Sequence, residues 1–377
     1  MTKISVGIVE PVGGHGGMDY YDYGLAMGLG ANDVEVFFYT SDNTKVREFS
    51  KVKTLIYFKK MWKRNFLIKV CKYLVGHYFA IKDIKKKGIK IIHLHFFVFR
   101  SIDFIILWYA RLRNLKIIVT IHDIDSFDKK ANSFIEVKCF NYIDGIIVHN
   151  QSSLNVLKNK FNINIPLVII PHGNYLPFID DISTYKKDKT EIFTLLFFGQ
   201  IKKVKGLDIL LEAVNIVKKS GSQVELIVAG KAWKIDLNEY ENLITDLKIG
   251  DIVKTDLRYI PDEEVSNFYK QADLVVLPYR TIYQSGVLLL TLSYGKPVLC
   301  SDLEPFKEII IDKENGFLFE NENPFDLASK IQEIVQNRIN LNKVAASAKI
   351  MIRDKYDWIK IGNLTKNFYL DLTTNHR

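Results

Sequence analysis

The chain has 377 residues, 48% of them hydrophobic, 25% charged and 12% aromatic, and its 52 Lys and Arg exceed 43 Asp and Glu by nine. That length accommodates about two domains of ordinary size, each with its own core. The composition excludes a disordered chain, a collagen-like repeat and a disulfide scaffold. A basic balance points to a nucleic acid, an anionic membrane or a phosphorylated substrate, but here the surplus is local. Residues 45–90 hold fifteen Lys and Arg against Glu48 and Asp83, a net +13, which leaves −4 on the rest of the chain.

In chain order, short apolar runs alternate with helix-length amphipathic ones. Strands are predicted at Ile4–Val9, Val34–Tyr39, Ile91–Leu94, Lys116–Ile121, Gly145–Val148 and Leu167–Ile170. A second set falls at Leu195–Phe198, Glu225–Ala229, Leu274–Leu277, Pro297–Cys300 and Gly316–Phe319. Between them lie helical patterns such as Tyr20–Leu29, Ser152–Lys160, Leu207–Lys219, Asp262–Gln271 and Pro324–Asn337. Continuous apolar strands separated by helices predict parallel sheets covered on both faces. The pattern occurs twice, on either side of the polar, aperiodic stretch Asn174–Thr190, which reads as a linker. The expected fold class is therefore α/β, with two doubly wound domains at 1–175 and 190–355. Ligands of such sheets bind beyond the carboxyl ends of the strands, and a cleft between two such domains is the natural site.

Cys71, Cys139 and Cys300 lie far apart with no metal-ligand spacing, so all three are expected to be buried, reduced thiols. The opening MTKISVGIVEPVGG lacks a leader pattern, and no apolar run is long enough to span a bilayer. A cytoplasmic protein, peripheral to a membrane at most, is expected.

Three turns carry chemistry. After the first strand comes Pro11-Val-Gly-Gly-His-Gly-Gly-Met-Asp, whose Gly16 and Gly17 precede a helix. Glycines there allow a ligand close to the backbone, and a helix N-terminus offers free N–H groups to an anion. A dinucleotide fingerprint would need glycine at Asp19, so a nicotinamide site is disfavoured. In the second half Gly199 ends a strand, Gly206 opens a helix, and Lys202 and Lys205 lie between, an arrangement suited to a diphosphate. Further on, Gln284-Ser285-Gly286-Val287 turns into a helix that Ser285 is placed to cap.

In order, these motifs resemble the GT-B glycosyltransferases, specifically the retaining group 1 or family 4 enzymes. The resemblance runs through the glycine-rich turn, Thr120-Ile-His122-Asp123, Ile169-Ile-Pro-His-Gly173, the Gly199 to Gly206 turn, Tyr259-Ile-Pro-Asp-Glu-Glu, Ala272-Asp-Leu-Val-Val-Leu-Pro and Gly295-Lys-Pro-Val. It covers nearly the whole chain and includes Trp358 ahead of a terminal helix, residues 356–377, which the family folds back onto its N-terminal domain.

The resemblance implies two Rossmann-like domains facing a central cleft and transfer of a sugar, with retention, from a nucleotide diphosphate-sugar. UDP-sugars are the default donors and GDP-mannose the main competitor. The acceptor would be a glycan or lipid-linked, in surface polysaccharide synthesis, without a bound metal or other cofactor. His122 matches a histidine beside the donor sugar and is the catalytic candidate. Gly16, Gly17, Gly199, Lys202, Lys205, Gln284, Ser285, Gly286, Val287 and Glu308 are donor-binding candidates, with the base near Arg258, Tyr259 and Ile260.

The chain also departs from the family. Gln200 stands where an arginine is usual, and the usual pair of glutamates eight apart falls on Ile282 and Leu290, or near Gln284 and Thr291 with a gap, neither of which supplies a carboxylate. A non-catalytic homologue that serves another transferase is therefore the alternative reading, and a nucleotide-sugar epimerase is a third. Asp123-Ile-Asp125 imitates a metal-binding D-x-D and reads as a loop. His93 and His95 are taken to face opposite sides of their strand, and no metal site is expected.

Within 45–90, Trp62, Phe66, Val70 and Tyr73 recur at helical spacing beside Lys63, Lys69 and Lys72. That pattern suits a helix on an anionic bilayer at the inner face of the cell membrane. No nucleic-acid motif accompanies the charge.

Overall fold

The computed structural model describes residues 4–14, 17–61, 65–97, 99–122, 133–161, 163–182 and 192–374. The chain divides into two compact units, Met1–Gly173 with Tyr356–Arg377, and Asn174–Lys355. The stretch read as a linker thus begins the second unit.

The first unit contains β1 (Ile4–Val9), α1 (Met18–Ala31), β2 (Val34–Ser41), β3 (Val52–Phe58), α2 (Phe66–Lys86), β4 (Ile91–Phe96), α3 (Ser101–Leu112) and β5 (Lys116–Ile121). It continues with α4 (Ser133–Phe140), β6 (Gly145–Val148), α5 (Gln151–Lys160) and β7 (Leu167–Ile169). Its parallel sheet runs β3-β2-β1-β4-β5-β6-β7. The strand order reverses at β1, where Val6 pairs with Val36 on one side and Ile91 on the other.

The second unit contains β8 (Phe193–Phe198), a short 3₁₀ turn at Lys203–Lys205, α6 (Leu207–Lys219), β9 (Val224–Ala229), α7 (Asn238–Asp246), β10 (Val253–Asp256), α8 (Asp262–Gln271) and β11 (Leu274–Leu277). Then follow α9 (Gly286–Ser293), β12 (Val298–Ser301), α10 (Glu304–Lys307), β13 (Phe317–Phe319), α11 (Pro324–Gln336) and α12 (Arg338–Lys355). The sheet order is β10-β9-β8-β11-β12-β13, again parallel, with the reversal at β8. Each unit is doubly wound, as the apolar runs predict, and each places its glycine-bearing turn at the switch point where such folds hold ligands.

Two strands escaped the sequence reading, β3 and β10. Both are edge strands, half-buried rather than continuously apolar, and each carries a lysine paired to its neighbour strand. Lys53 meets Glu35 at 2.9 Å and Lys254 meets Glu225 at 2.6 Å. Charge on an edge strand blocks further strand pairing, and it also hides the strand from an apolar pattern.

The last helix, α13 (Trp358–Thr374), belongs to the first unit and packs on α1. Small residues permit the crossing. A Cβ on Gly28 would lie 1.9 Å from the Trp358 carbonyl oxygen, and one on Gly362 would lie 2.1 Å from Gly28. The Trp358 ring is fully buried between Gly24 and Gly173. Tyr369 anchors the same helix through His93, whose Nδ1 is 2.7 Å from the phenol oxygen and whose Nε2 is 2.7 Å from Thr120 Oγ1.

Three expectations are corrected. Cys71 is exposed on α2, while Cys139 and Cys300 are buried. His93 and His95 share a face of β4, their ring centres 4.8 Å apart, because residues two apart along a strand point the same way. The stripe read through Phe66, Val70 and Tyr73 is not a single outward face. Tyr73 turns inward to donate to Asp103 at 2.8 Å, whereas Phe66 is 77% exposed, and Trp62 lies outside the described residues.

Candidate active site

In the second unit, the end of β8 is a point of close approach. Gly199 has φ of +103° and Gly230, after β9, has φ of +146°. A Cβ on Gly230 would lie 1.9 Å from the Gly199 carbonyl oxygen, so the two loops meet backbone to backbone. A Cβ on Gly199 itself would lie 3.1 Å from Val287 Cγ2 and 3.7 Å from Lys205 Nζ. The fold therefore gathers the β8 exit, the Lys205 ammonium and the first turn of α9 at one spot. Ser285 caps α9 by accepting from the Leu288 N–H at 3.2 Å. The N–H groups of Gly286 and Val287, ahead of it, have no acceptor within the helix by virtue of their position. An ammonium and unpaired helical N–H groups around a glycine make an anion cradle.

Of the donor-binding candidates, Gly199, Lys205, Ser285, Gly286 and Val287 are brought together. Lys202 lies on the same turn, its Nζ 5.9 Å from the Trp233 ring centre. Gln284 is half-buried just before the capping serine. Arg258, Tyr259 and Ile260 follow β10, two strands from β8, a separation of about 10 Å. Arg258 pairs there with Asp256 and Glu264, Tyr259 is 65% exposed, and Ile260 is buried. Glu308 is exposed past α10, on the opposite side of the sheet order. Ile282 and Leu290, at the positions of the family's glutamate pair, are half-buried.

In the first unit, Gly16 lies outside the described residues, as do Asp123 and Asp125. Gly17 precedes α1 with φ of +96°. Its turn is held by two carboxylates, of which the sequence reading left out Glu10 and gave Asp19 no role in the turn. Glu10 accepts from Val12 N–H at 2.9 Å and Gly13 N–H at 2.7 Å, and Asp19 accepts from Gly14 N–H at 2.8 Å. Asp19, the residue that breaks the dinucleotide pattern, thus fixes the turn. Burial, followed by the neighbouring Asp22, pushes Glu10 up to about 8.

His122 follows β5 within a ring of aromatics around Tyr21. The centres of His95, His122, His149, His172 and Trp358 lie 5.3, 4.6, 5.2, 5.1 and 5.6 Å from that phenol ring. The hydrogen bonds fix its tautomer. His149 Nδ1 lies 2.9 Å from the Ile170 carbonyl and must donate to it, so its Nε2 accepts from His122 Nδ1 at 3.1 Å. Among the described residues, His122 Nε2 has no hydrogen-bond partner and is left as a shielded lone pair. Burial first, then the neighbouring imidazoles, hold His122 well below the ordinary histidine range. It is a neutral acceptor, not a cation. Asp22 Oδ1 lies 2.7 Å from His95 Nδ1, a short contact not aligned as a hydrogen bond. Among the described residues, no group of three or more His, Cys, Asp or Glu is disposed to hold a metal ion.

The sequence matches two family models, one described as Glycosyltransferase Family 4 over residues 15–174 and one as Glycosyl transferases group 1 over residues 179–351. The chain belongs to the group 1 and family 4 glycosyltransferases. A GDP-mannose:glycolipid 4-beta-D-mannosyltransferase of Xanthomonas campestris pv. campestris is 26% identical over 202 residues, 54% of each chain. The chain spans about half the length of the curated relatives it matches. Sucrose-phosphate synthase from Thermosynechococcus elongatus superposes with a TM-score of 0.76 at 17% identity, over 98% of this chain and 99% of that one. Anabaena HepE in complex with UDP-glucose superposes at 0.71 and 15% identity, over 98% and 100%. The glycosyltransferase fold here is therefore GT-B.

Proposed function

We propose that this glycosyltransferase moves a sugar from a nucleotide diphosphate-sugar to a glycan or lipid-linked acceptor, with retention, in surface polysaccharide synthesis. The observation that carries the reading is the convergence of Gly199, the Lys205 ammonium and the α9 N-terminus at the switch point of the second sheet. Departure of a nucleoside diphosphate concentrates negative charge on its terminal phosphate. A preorganised ammonium and helical N–H groups stabilise that charge more in the transition state than in the ground state. The base would extend toward the β10 exit, about two strand spacings away. Gly17 and His122 belong to the first unit, to which we assign the acceptor. No metal is needed for a leaving group neutralised in this way.

One relative is named for GDP-mannose and another was crystallised with UDP-glucose, so both bases enter the test. Melting temperature is measured against UDP- and GDP-linked sugars, and nucleotide release is then followed with each donor that shifts it. A donor that stabilises the protein and is consumed supports the reading. If none shifts the melting temperature, the reading fails. Ile282 and Leu290 in place of the glutamate pair favour a second reading, a homologue that binds donor without turning it over. Binding without nucleotide release identifies that case.

We further propose that the first unit docks peripherally on an anionic bilayer at the inner face of the cell membrane. No helix among the described residues is long and apolar enough to cross one. On α2, Phe66, Leu67, Val75 and Phe79 are 77%, 75%, 51% and 50% exposed, and α3 adds Trp108 at 45% and Leu112 at 57%. The two helices touch through stacked Tyr78 and Tyr109 rings, centres 5.3 Å apart. Apolar side chains flanked by the lysines of α2 match the chemistry of an acidic lipid surface.

A further inference from the structure

Lys205 is the cation on which the donor reading rests, and the structure holds its side chain from beneath. The segment that leaves β11, Pro278-Tyr279-Arg280, supports the whole lysine turn. A Cβ on Gly206 would lie 1.9 Å from the Pro278 carbonyl oxygen, and with φ of +64° this position favours glycine twice over. Arg280 N–H donates to the Val204 carbonyl at 2.8 Å. Its guanidinium donates to the Lys203 carbonyl at 2.9 Å and forks onto Asp208 at 2.9 and 2.6 Å. Between them, Tyr279 Oη accepts from Lys205 Nζ at 3.0 Å, and the ammonium lies 4.7 Å from the ring centre. Tyr279 itself cannot wander. It is 1% exposed, its carbonyl accepts from Ser301 Oγ at 2.6 Å, and its ring packs on Phe306.

We infer that Tyr279 is a positioning residue for the leaving diphosphate, aiming the Lys205 ammonium at the phosphate farther from the nucleoside. One N–H of the ammonium is spent on the phenol oxygen. Two N–H groups remain for phosphate oxygens. A long lysine side chain otherwise loses considerable rotamer freedom on binding an anion. Held in place beforehand, it loses less. Arg280 sets the turn rather than the charge, since its fork is occupied by Asp208 and Lys203.

This inference rests on the diphosphate reading, and the test separates the two. Dissociation constants for UDP and UMP, and for GDP and GMP, are measured on the wild type, Lys205→Ala and Tyr279→Phe, with melting temperatures alongside. Tyr279→Phe keeps the buried ring and removes only the oxygen. It should weaken the diphosphate by about tenfold, the scale of one hydrogen bond to a charged group, with the monophosphate unchanged. A uniform loss for both nucleotides would mean that Tyr279 acts only through the fold, and would overturn the inference. An unchanged diphosphate affinity in Tyr279→Phe, with a loss in Lys205→Ala, would also overturn it while leaving the diphosphate site intact. No loss in Lys205→Ala would remove the reading beneath both.

Discussion

The crossing of α13 over α1 makes a quantitative prediction, because a glycine and a tryptophan occupy one space. The Trp358 side chain is 1% exposed, and a Cβ on Gly24 would fall 2.1 Å from its ring. Trp358→Ala empties that space and should cost about 3–5 kcal/mol. Gly24→Ala alone drives a methyl into the ring and should cost about 1–3 kcal/mol, less roughly 1 kcal/mol regained from helix propensity within α1. Together the two changes should not add. With the ring gone, the new methyl meets empty space, so the double variant should be as stable as Trp358→Ala or more stable by about 1 kcal/mol. Hydrogen exchange of the α1 and α13 amides reads the free energy locally, so unfolding of the second unit does not blur it. Simple additivity of the two losses would refute the packing argument. So would a cost below about 1 kcal/mol for Trp358→Ala, well short of that expected for a buried tryptophan.

Acid should destabilise the first unit. Burial first holds His77, His95 and His149 down to about 4 and His172 to about 3, with His93 and His122 lowered in the same sense. Their stability contribution is complete above the unfolded histidine pKa and is lost as pH falls toward the folded values. Glu10 at about 8, Asp103 at about 6 and the raised Asp22 oppose this, since the folded unit already holds their protons. Burial raises Glu136 as well, so six groups against four leave about two protons taken up on unfolding between pH 6 and 5, a slope that can approach ~3 kcal/mol per pH unit. Urea titrations at pH 7, 6 and 5 measure it, and a flat profile would contradict the buried neutral cluster. On the membrane side, co-sedimentation with vesicles rich in an anionic phospholipid should fall strongly for Phe79→Asp with Trp108→Asp. Wild-type protein that stays in the supernatant at low salt would end the docking proposal.

Much of this glycosyltransferase is legible in its sequence because local rules agree with the fold. Apolar runs such as Ile4–Val9 and Phe193–Phe198 form central parallel strands because both faces are covered. Glycines at 199 and 206 mark a turn that only positive φ allows. Ser285 caps the helix that its position foretells. Other features needed distant segments to meet. Edge strands β3 and β10 carry lysines whose partners lie on other strands. The inward turn of Tyr73 depends on Asp103, thirty residues away. The tautomer of His122 depends on His149 and Ile170. Tyr279 stands in a motif that reads as strand end and nothing more, until β11 is placed beside β8 and brings its phenol under Lys205. Sequence by itself determined the repeated parallel α/β plan and the glycine turns, since both follow from neighbours in the chain. Tertiary structure alone decided which charged groups are buried, paired or aimed, since those states are set by atoms that arrive from elsewhere.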